Sequence, residues 1–416
     1  MNLSRNAKNA IFIGSLCSVS YLAVYIARNV LGAVQAQMLD SFDPAFLGDL
    51  GAFFFFFYAV GQLINGAIGD KIKARYMISL GLLLAGITNM IFPRVAEIAD
   101  TPLAAKIVYG LTGFFLAMIY GPMTKVVAEN TEPHHATRCS LGYTFASFFG
   151  SPLAGVLAAF LAWQTVFRIS SIALFVMAVV AFSVFLLLEK KGIVKYGQYA
   201  QKKSDKRFGF AETVRLLLRH HFLKFAVIAI ITGVIRTSLV QWFTTYFCQK
   251  HGYSDDESAS IFTVVTLVMC TTAFISVFLF EKVFKSNINH TILAMFSVSA
   301  VAFTAVIFVS HPILNIACLI LAVMASNGSA TMLWSRYCPS LRDTGAVSGA
   351  TGFLDFLSYM AAAIANIVFS HLRVEGDLLN WRAILTICLG LMLIGVSLSL
   401  PYGRFFRKKR KNAQNA

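Results

Sequence analysis

Residues 10–36 read AIFIGSLCSVSYLAVYIARNVLGAVQA. A helix needs about 20 mostly apolar residues to cross the hydrocarbon core of a bilayer, and this run supplies them around a single charge, Arg28. Tyr21, Tyr25 and Arg28 fall at i, i+4 and i+7, so they share one helix face. An arginine at mid-membrane costs about 2.5–3.5 kcal/mol on insertion scales, and with a pKa above about 12 it stays charged. It has to face water, a counter-ion or an anionic ligand. The run is too long for a signal peptide and lacks a small-residue cleavage site, so it is read as a retained first span.

Similar apolar stretches recur at 46–69, 76–95, 104–128, 137–162, 167–189, 222–249, 257–281, 289–310, 312–335, 343–371 and 381–403. The sequence therefore predicts an all-α membrane protein with twelve transmembrane helices. Composition agrees: 57% of the 416 residues are hydrophobic, 13% are charged and the mean hydropathy is +0.70. Soluble domains run near 45–50% and 25%. A water-soluble enzyme, a disordered chain and a secreted disulfide scaffold are excluded. The seven cysteines are scattered without metal-ligand spacing and read as small core hydrophobes.

The net charge of +16 sorts by side. With the N-terminus inside, the N-terminal tail and the even-numbered connections hold most of the Lys and Arg, including Lys71, Lys73, Arg75, the run from Lys190 to Lys224 and the tail from Arg404 to Lys411. The other side holds Arg94, Lys106, Arg168, Lys250, Arg373 and Arg382. The positive-inside rule then puts both termini in the cytoplasm, with the cell inner (plasma) membrane as the expected location. The charge records orientation, not nucleic-acid binding, and the tail reads as an anchor against anionic lipid.

The polar stretch from Glu189 to Lys224 divides the chain into an N-terminal six-helix bundle (1–189), a cytoplasmic linker (190–221) and a C-terminal six-helix bundle (222–416). Within the linker, Ala211 to Leu218 is weakly amphipathic. The halves echo one another. Arg28 in the first span is followed, after the second, by Gly69-Asp70-Lys71-Ile72-Lys73-Ala74-Arg75; Arg236 in the seventh is followed, after the eighth, by Glu281-Lys282-Val283-Phe284-Lys285. Paired halves with a site at their midplane interface are a transporter architecture. Two guanidinium forks facing one cavity can hold a phosphate or carboxylate from opposite sides. Asp355, inside the eleventh span, is open to three readings: counter-ion, proton carrier, or ligand for a substrate amine. Tyr58 and Gln62 form an i, i+4 pair on the second span, and Tyr359 stands one turn beyond Asp355. Phe53 to Phe57 reads as packing or lipid-facing bulk. No P-loop, GxSxG or HExxH is present, and His134-His135 sits in a connection, so neither an enzyme, an ATP-driven pump, a cofactor nor a metal is expected.

At these residues the sequence resembles the major facilitator superfamily, more narrowly the organophosphate:phosphate antiporter family of glycerol-3-phosphate and hexose-phosphate exchangers. The carriers of the resemblance are Tyr21 to Asn29, Gly48-Asp49-Leu50-Gly51, Tyr58, the superfamily signature from Gly66 to Arg75, Arg236 with Trp242 and Tyr246, Glu281 to Lys285, and Gly349 to Tyr359. It implies two pseudo-symmetric six-helix bundles and a substrate site at Arg28, Arg236, Tyr21, Tyr25, Tyr58, Gln62, Trp242 and Tyr359. Gly66, Asp70, Lys71, Arg75, Glu281 and Lys282 are implied to gate the cytoplasmic face, with Asp70, Lys71 and Arg75 bracing it across the halves in one state. The chain departs from those exchangers at Asn29, Gln62 and Ala146, and Asp355 adds an acid they lack. The formal cavity charge is thus about +1 from Arg28, Arg236 and Asp355. The expected function is exchange of a small organic anion, an organophosphate, for inorganic phosphate by alternating access, in a monomer that meets lipid and an anionic solute but no nucleic acid. The rivals are a proton-coupled symporter of a carboxylate or amine-bearing anion using Asp355, and a transporter-like sugar-phosphate sensor.

Overall fold

The computed structural model describes residues 5–69, 72–98, 102–196, 220–341, 347–374 and 378–400. Twelve crossings follow one another. The first six are continuous helices: α1 (Arg5–Met38), α2 (Pro44–Gly69), α3 (Ala74–Ala96), α4 (Pro102–Asn130), α5 (Pro133–Phe160) and α6 (Trp163–Lys190). In the second six, α7 joins Phe222–Gly233, a π-helical turn Val234–Leu239 and Phe243–His251. Next, α8 joins Asp255–Met269, Thr272–Phe278 and a π turn Leu279–Val283. The ninth crossing, α9, is Ile288–Phe308, and α10 joins Pro312–Met332, a π turn Leu333–Tyr337 and Cys338–Ser340. Last come α11 (Val347–His371) and α12 (Trp381–Ser399). Eleven crossings are long and apolar enough to span a membrane by composition; in α5 the apolar part is the shorter Ala146–Phe160. The expected linker falls mostly outside the described residues, as do its amphipathic segment and the basic tail.

Helix starts follow local chemistry. Ser254 and Glu257 form a reciprocal capping box that opens α8, and the Asn380 side chain accepts from the Ala383 N–H to open α12. The expected uninterrupted seventh span is instead broken. The π turn displaces the ladder around Arg236, and Trp242 leaves helical geometry before the chain resumes at Phe243. Such turns cluster at functional positions because they swing a side chain out of regular register.

The packing is pseudo-symmetric. In the first half α1 packs on α5, α2 on α4, α3 on α4 and α3 on α6; in the second α7 packs on α11, α8 on α10, α9 on α10 and α9 on α12. Buried polar groups bind helices where apolar contacts cannot distinguish lipid from protein. Asn89 of α3 donates to Ser170 and Ser171 of α6 at 2.8 and 3.0 Å. Outward faces carry exposed Val179, Val301, Phe308 and Ile313, suited to lipid.

The halves meet along α2–α11 and α5–α8, again an equivalent pair, with α1 against α7 between them. Contacts run from the end where α1 finishes and α2 begins, hereafter the closed end. Arg373 reaches Asp43 there at 3.5 Å, and the Thr244 hydroxyl donates to the Gly32 carbonyl at 2.9 Å. Glycines make this approach feasible: a Cβ on Gly51 would lie 2.9 Å from Gln241 Oε1, and one on Gly48 would lie 2.8 Å from the Asn366 carbonyl. Farther along, contacts reach the level of Arg28 and Tyr359. Beyond it, the Cβ positions of Gly121 on α4 and Gly352 on α11 meet open space.

Candidate functional site

Arg28 projects from α1 into a cage of tyrosines. Its guanidinium carbon lies 5.1 Å from the ring centre of Tyr25, 5.0 Å from Tyr58 and 4.9 Å from Tyr359. One Nη1–H donates to the Tyr359 hydroxyl at 2.9 Å. Each face-on contact contributes about 0.5–2 kcal/mol, more as water is removed, so the cage offsets much of the cost of a charge at this depth. Local packing sets the cage. Gly150 lets α5 press on the Tyr25 backbone: a Cβ on that glycine would lie 2.9 Å from the Tyr25 carbonyl oxygen. Phe55 lies parallel to Tyr359 at 6.3 Å, and Tyr58 meets Tyr359 edge-on at 4.7 Å. Tyr359 belongs to the second half, so the cage closes across the interface.

Arg236 occupies the equivalent crossing of the second half, on the π turn of α7. Gly233, one turn earlier, lets α7 press on Ser358 of α11, with a Cβ there falling 2.8 Å from the Ser358 carbonyl carbon. That contact brings Arg236 beside the face of α11 that carries Asp355 and Tyr359. The charges of Arg28, Arg236 and Asp355 act on one another, and all three side chains keep partial solvent access. Among the described residues, Arg236 has no hydrogen-bond partner, and Asp355 forms no ion pair within 4 Å. Two guanidinium groups with unspent donors therefore face one interface from opposite halves.

Other expected residues distribute unevenly. Tyr21 is buried in an aromatic cluster beside the cage, 4.9 Å from Tyr25 and 5.5 Å from Tyr120. Gln62 is half-buried, one turn beyond Tyr58. Trp242 is fully buried, and its indole N–H donates to Asn366 Oδ1 at 2.9 Å. That bond pins α7 to α11. Arg75, expected to brace the cytoplasmic face across the halves in one state, is held within its own half in this conformation. It pairs with Glu189 of its own half at 2.8 Å, donates to the Tyr76 hydroxyl at 2.7 Å, and stacks on Phe182. Its sequence neighbours Asp70 and Lys71 lie outside the described residues, as does the surrounding of Gly66 within α2. Tyr196 donates to Glu189 at 2.8 Å; burial, then that carboxylate, raises its hydroxyl pKa above the usual value. Glu281 pairs with Arg336 of α10 at 2.6 Å, and Lys282 is exposed beside it.

Two participants went unpredicted. Tyr120 of α4 meets Tyr21 and Tyr143, a contact between helices that no spacing along the chain announces. Asn366 was legible, since Asp355, Tyr359 and Asn366 follow i, i+4, i+11 on one face of α11. A cavity of about 1020 Å³ lies away from the arginines, at the far end of the second half, between His220, Lys224, Asn289 and Arg336.

Residues 17–366 match the family described as Major Facilitator Superfamily. The chain belongs to the Major Facilitator Superfamily. Among the described residues, eleven helices are long and apolar enough to cross a membrane, as a multi-pass member of that family requires. It is 23% identical over 267 residues to the glycerol-3-phosphate transporter of Bacillus subtilis, covering 60% of this chain and 59% of that protein. It is 25% identical over 113 residues to a probable hexose phosphate transport protein of Chlamydia pneumoniae, covering 27% of this chain and 24% of the relative. These alignments span less than two thirds of the relatives' length. Among solved structures, a bacterial homologue of the human lysosomal transporter Spinster superposes with a TM-score of 0.73 at 14% identity, covering 98% of this chain and 99% of that one. That likeness supports the facilitator fold.

Proposed function

We propose that this facilitator carries a small organic anion, an organophosphate, across the inner membrane in exchange for inorganic phosphate, with both termini cytoplasmic. The observation that carries the reading is the pair Arg28 and Arg236: equivalent crossings, opposite halves, one donor spent on Tyr359 and none described for Arg236. A phosphate placed between them gains charge-assisted hydrogen bonds of about 1.5–3 kcal/mol each. Tyr25, Tyr58 and Tyr359 shape the pocket, with Tyr21 and Gln62 at its margin. The names of the Bacillus and Chlamydia relatives favour a phosphorylated solute. Positive-inside charge makes the closed end external, so this conformation faces the cytoplasm. Residues 1–189 and 222–416 would rock about the site as two bodies joined by 190–221.

Counterflow in proteoliposomes tests the exchange. Labelled phosphate should enter only when phosphate or an organophosphate is loaded inside. Uptake that ignores the internal load but follows an imposed pH gradient would replace exchange by proton-coupled symport, a reading favoured by the unpaired Asp355. Tight binding with no flux in either format would make the protein a sensor.

A further inference from the structure

Asp355 lies within electrostatic reach of two arginines and forms an ion pair with neither. Opposite charges at 4 Å attract by about 4 kcal/mol at an effective dielectric of 20, so a purely structural counter-ion would be drawn into contact. Here Arg28 has other partners. Arg28 is held by the Tyr359 hydroxyl at 2.9 Å and by three ring faces. Tyr359 stands one turn along α11 from Asp355, about 6 Å of helix rise. The carboxylate and the guanidinium are therefore presented side by side, each with capacity left for a ligand.

Building on the organophosphate reading, we propose that the substrate is zwitterionic: a phosphate monoester whose primary amine, two or three carbons away, is taken by Asp355 while Arg28 and Arg236 take the phosphate. Length and charge both fit. An ammonium four bonds from phosphorus lies about 5 Å away when extended, close to the rise between Tyr359 and Asp355. A phosphate monoester carries about −1.5 to −2 at neutral pH, and one ammonium brings it near −1, matching the cavity's formal +1. A phosphate ester without the amine would overfill that charge and set its surplus against the Asp355 carboxylate.

The test is binding to purified full-length protein at one fixed pH, read by calorimetry with 2-aminoethyl phosphate and with 2-hydroxyethyl phosphate, in which a neutral hydroxyl replaces the ammonium. The amine ester should bind at least about tenfold more tightly, a difference of about 1.4 kcal/mol. In Asp355→Asn the ratio should fall to near one, and in Asp355→Glu part of it should survive. The comparison in the unmodified protein stands even if a variant does not fold. Equal or tighter binding of the hydroxyl ester overturns the zwitterion while leaving the organophosphate reading in place. A preference that persists in Asp355→Asn overturns the role given to Asp355. If neither ester binds, the organophosphate reading fails and this proposal fails with it.

Discussion

Replacing Gly48 with alanine puts a methyl group into the tightest approach between the halves. The new Cβ would sit 2.8 Å from the Asn366 carbonyl oxygen and against both Cβ and Oγ of Ser370 on α11. Ser370 can turn its hydroxyl aside but not its Cβ, and the Asn366 carbonyl belongs to helix backbone. With favourable contact beginning near 3.5 Å, α2 and α11 must part by roughly 1 Å at this level. Overpacking of this kind costs about 1–3 kcal/mol. The penalty falls on the closed form alone, because the methyl group is freed once this end opens. The balance between the two facings should therefore shift by about 5- to 150-fold. Spin labels at positions 43 and 373, which face each other across the closed end, report it by pulsed distance measurement. Gly48→Ala should add a longer-distance population and slow exchange. Gly233→Ala is the control, since its clash with Ser358 lies inside one half and should lower thermal stability without lengthening that distance. An unchanged distance distribution and exchange rate in Gly48→Ala would refute the argument.

Arg28→Lys and Arg236→Lys should each abolish phosphate counterflow while the protein still reaches the membrane, because one ammonium cannot replace a two-pronged fork; normal flux in either variant sinks the two-arginine site. Trp242→Phe strands the buried Asn366 acceptor, so it should lower stability by about 1–3 kcal/mol yet leave ligand affinity in titrations unchanged. Glu189→Gln breaks the buried pair with Arg75 and should cost about 3–5 kcal/mol, seen as a lower melting temperature with substrate affinity preserved. Tyr359→Phe removes the Arg28 bond but keeps the ring, and should raise phosphate efflux into phosphate-free medium relative to exchange; an unchanged ratio of efflux to exchange counts against the bond as a brake.

The crossings were readable because each is an apolar run interrupted only where a charge has a use. Arg28, Tyr25 and Tyr58 could be placed on helix faces by spacing alone, and Tyr359 fell one turn from Asp355. What spacing does not carry is the partner on another helix. Trp242 lies near Arg236 in the chain, and its indole bonds Asn366 on α11. Arg75 sits in a basic, loop-like motif, and spacing does not show that Glu189, near the end of α6, is its partner in this conformation. The π turns of α7, α8 and α10 were also illegible. Their sequences, VIRTSL, LFEKV and LWSRY, hold no Pro or Gly to mark a break, and close tertiary contact such as Gly233 against Ser358 accompanies the point where the ladder yields.

The two arginines hold equivalent places but different surroundings, and the difference bears on how exchange could be enforced. Arg236 is bare, so it adds affinity wherever an anion is present. Arg28 is satisfied in part by Tyr359, a residue of the other half. When α11 swings away from α2, Arg28 loses a charge-assisted hydrogen bond of about 1.5–3 kcal/mol and one ring contact of about 0.5–2 kcal/mol. With the site empty nothing replaces them, and the barrier rises by about 2–5 kcal/mol from these two sources. A bound phosphate oxygen can occupy the same guanidinium donors as Tyr359 withdraws, so the loaded carrier escapes that penalty. A transporter whose empty form is held back while its loaded form moves performs exchange, not leak. The tyrosine cage thus serves two ends at once: it offsets the cost of a charge in the membrane, and it makes the anion the condition for movement.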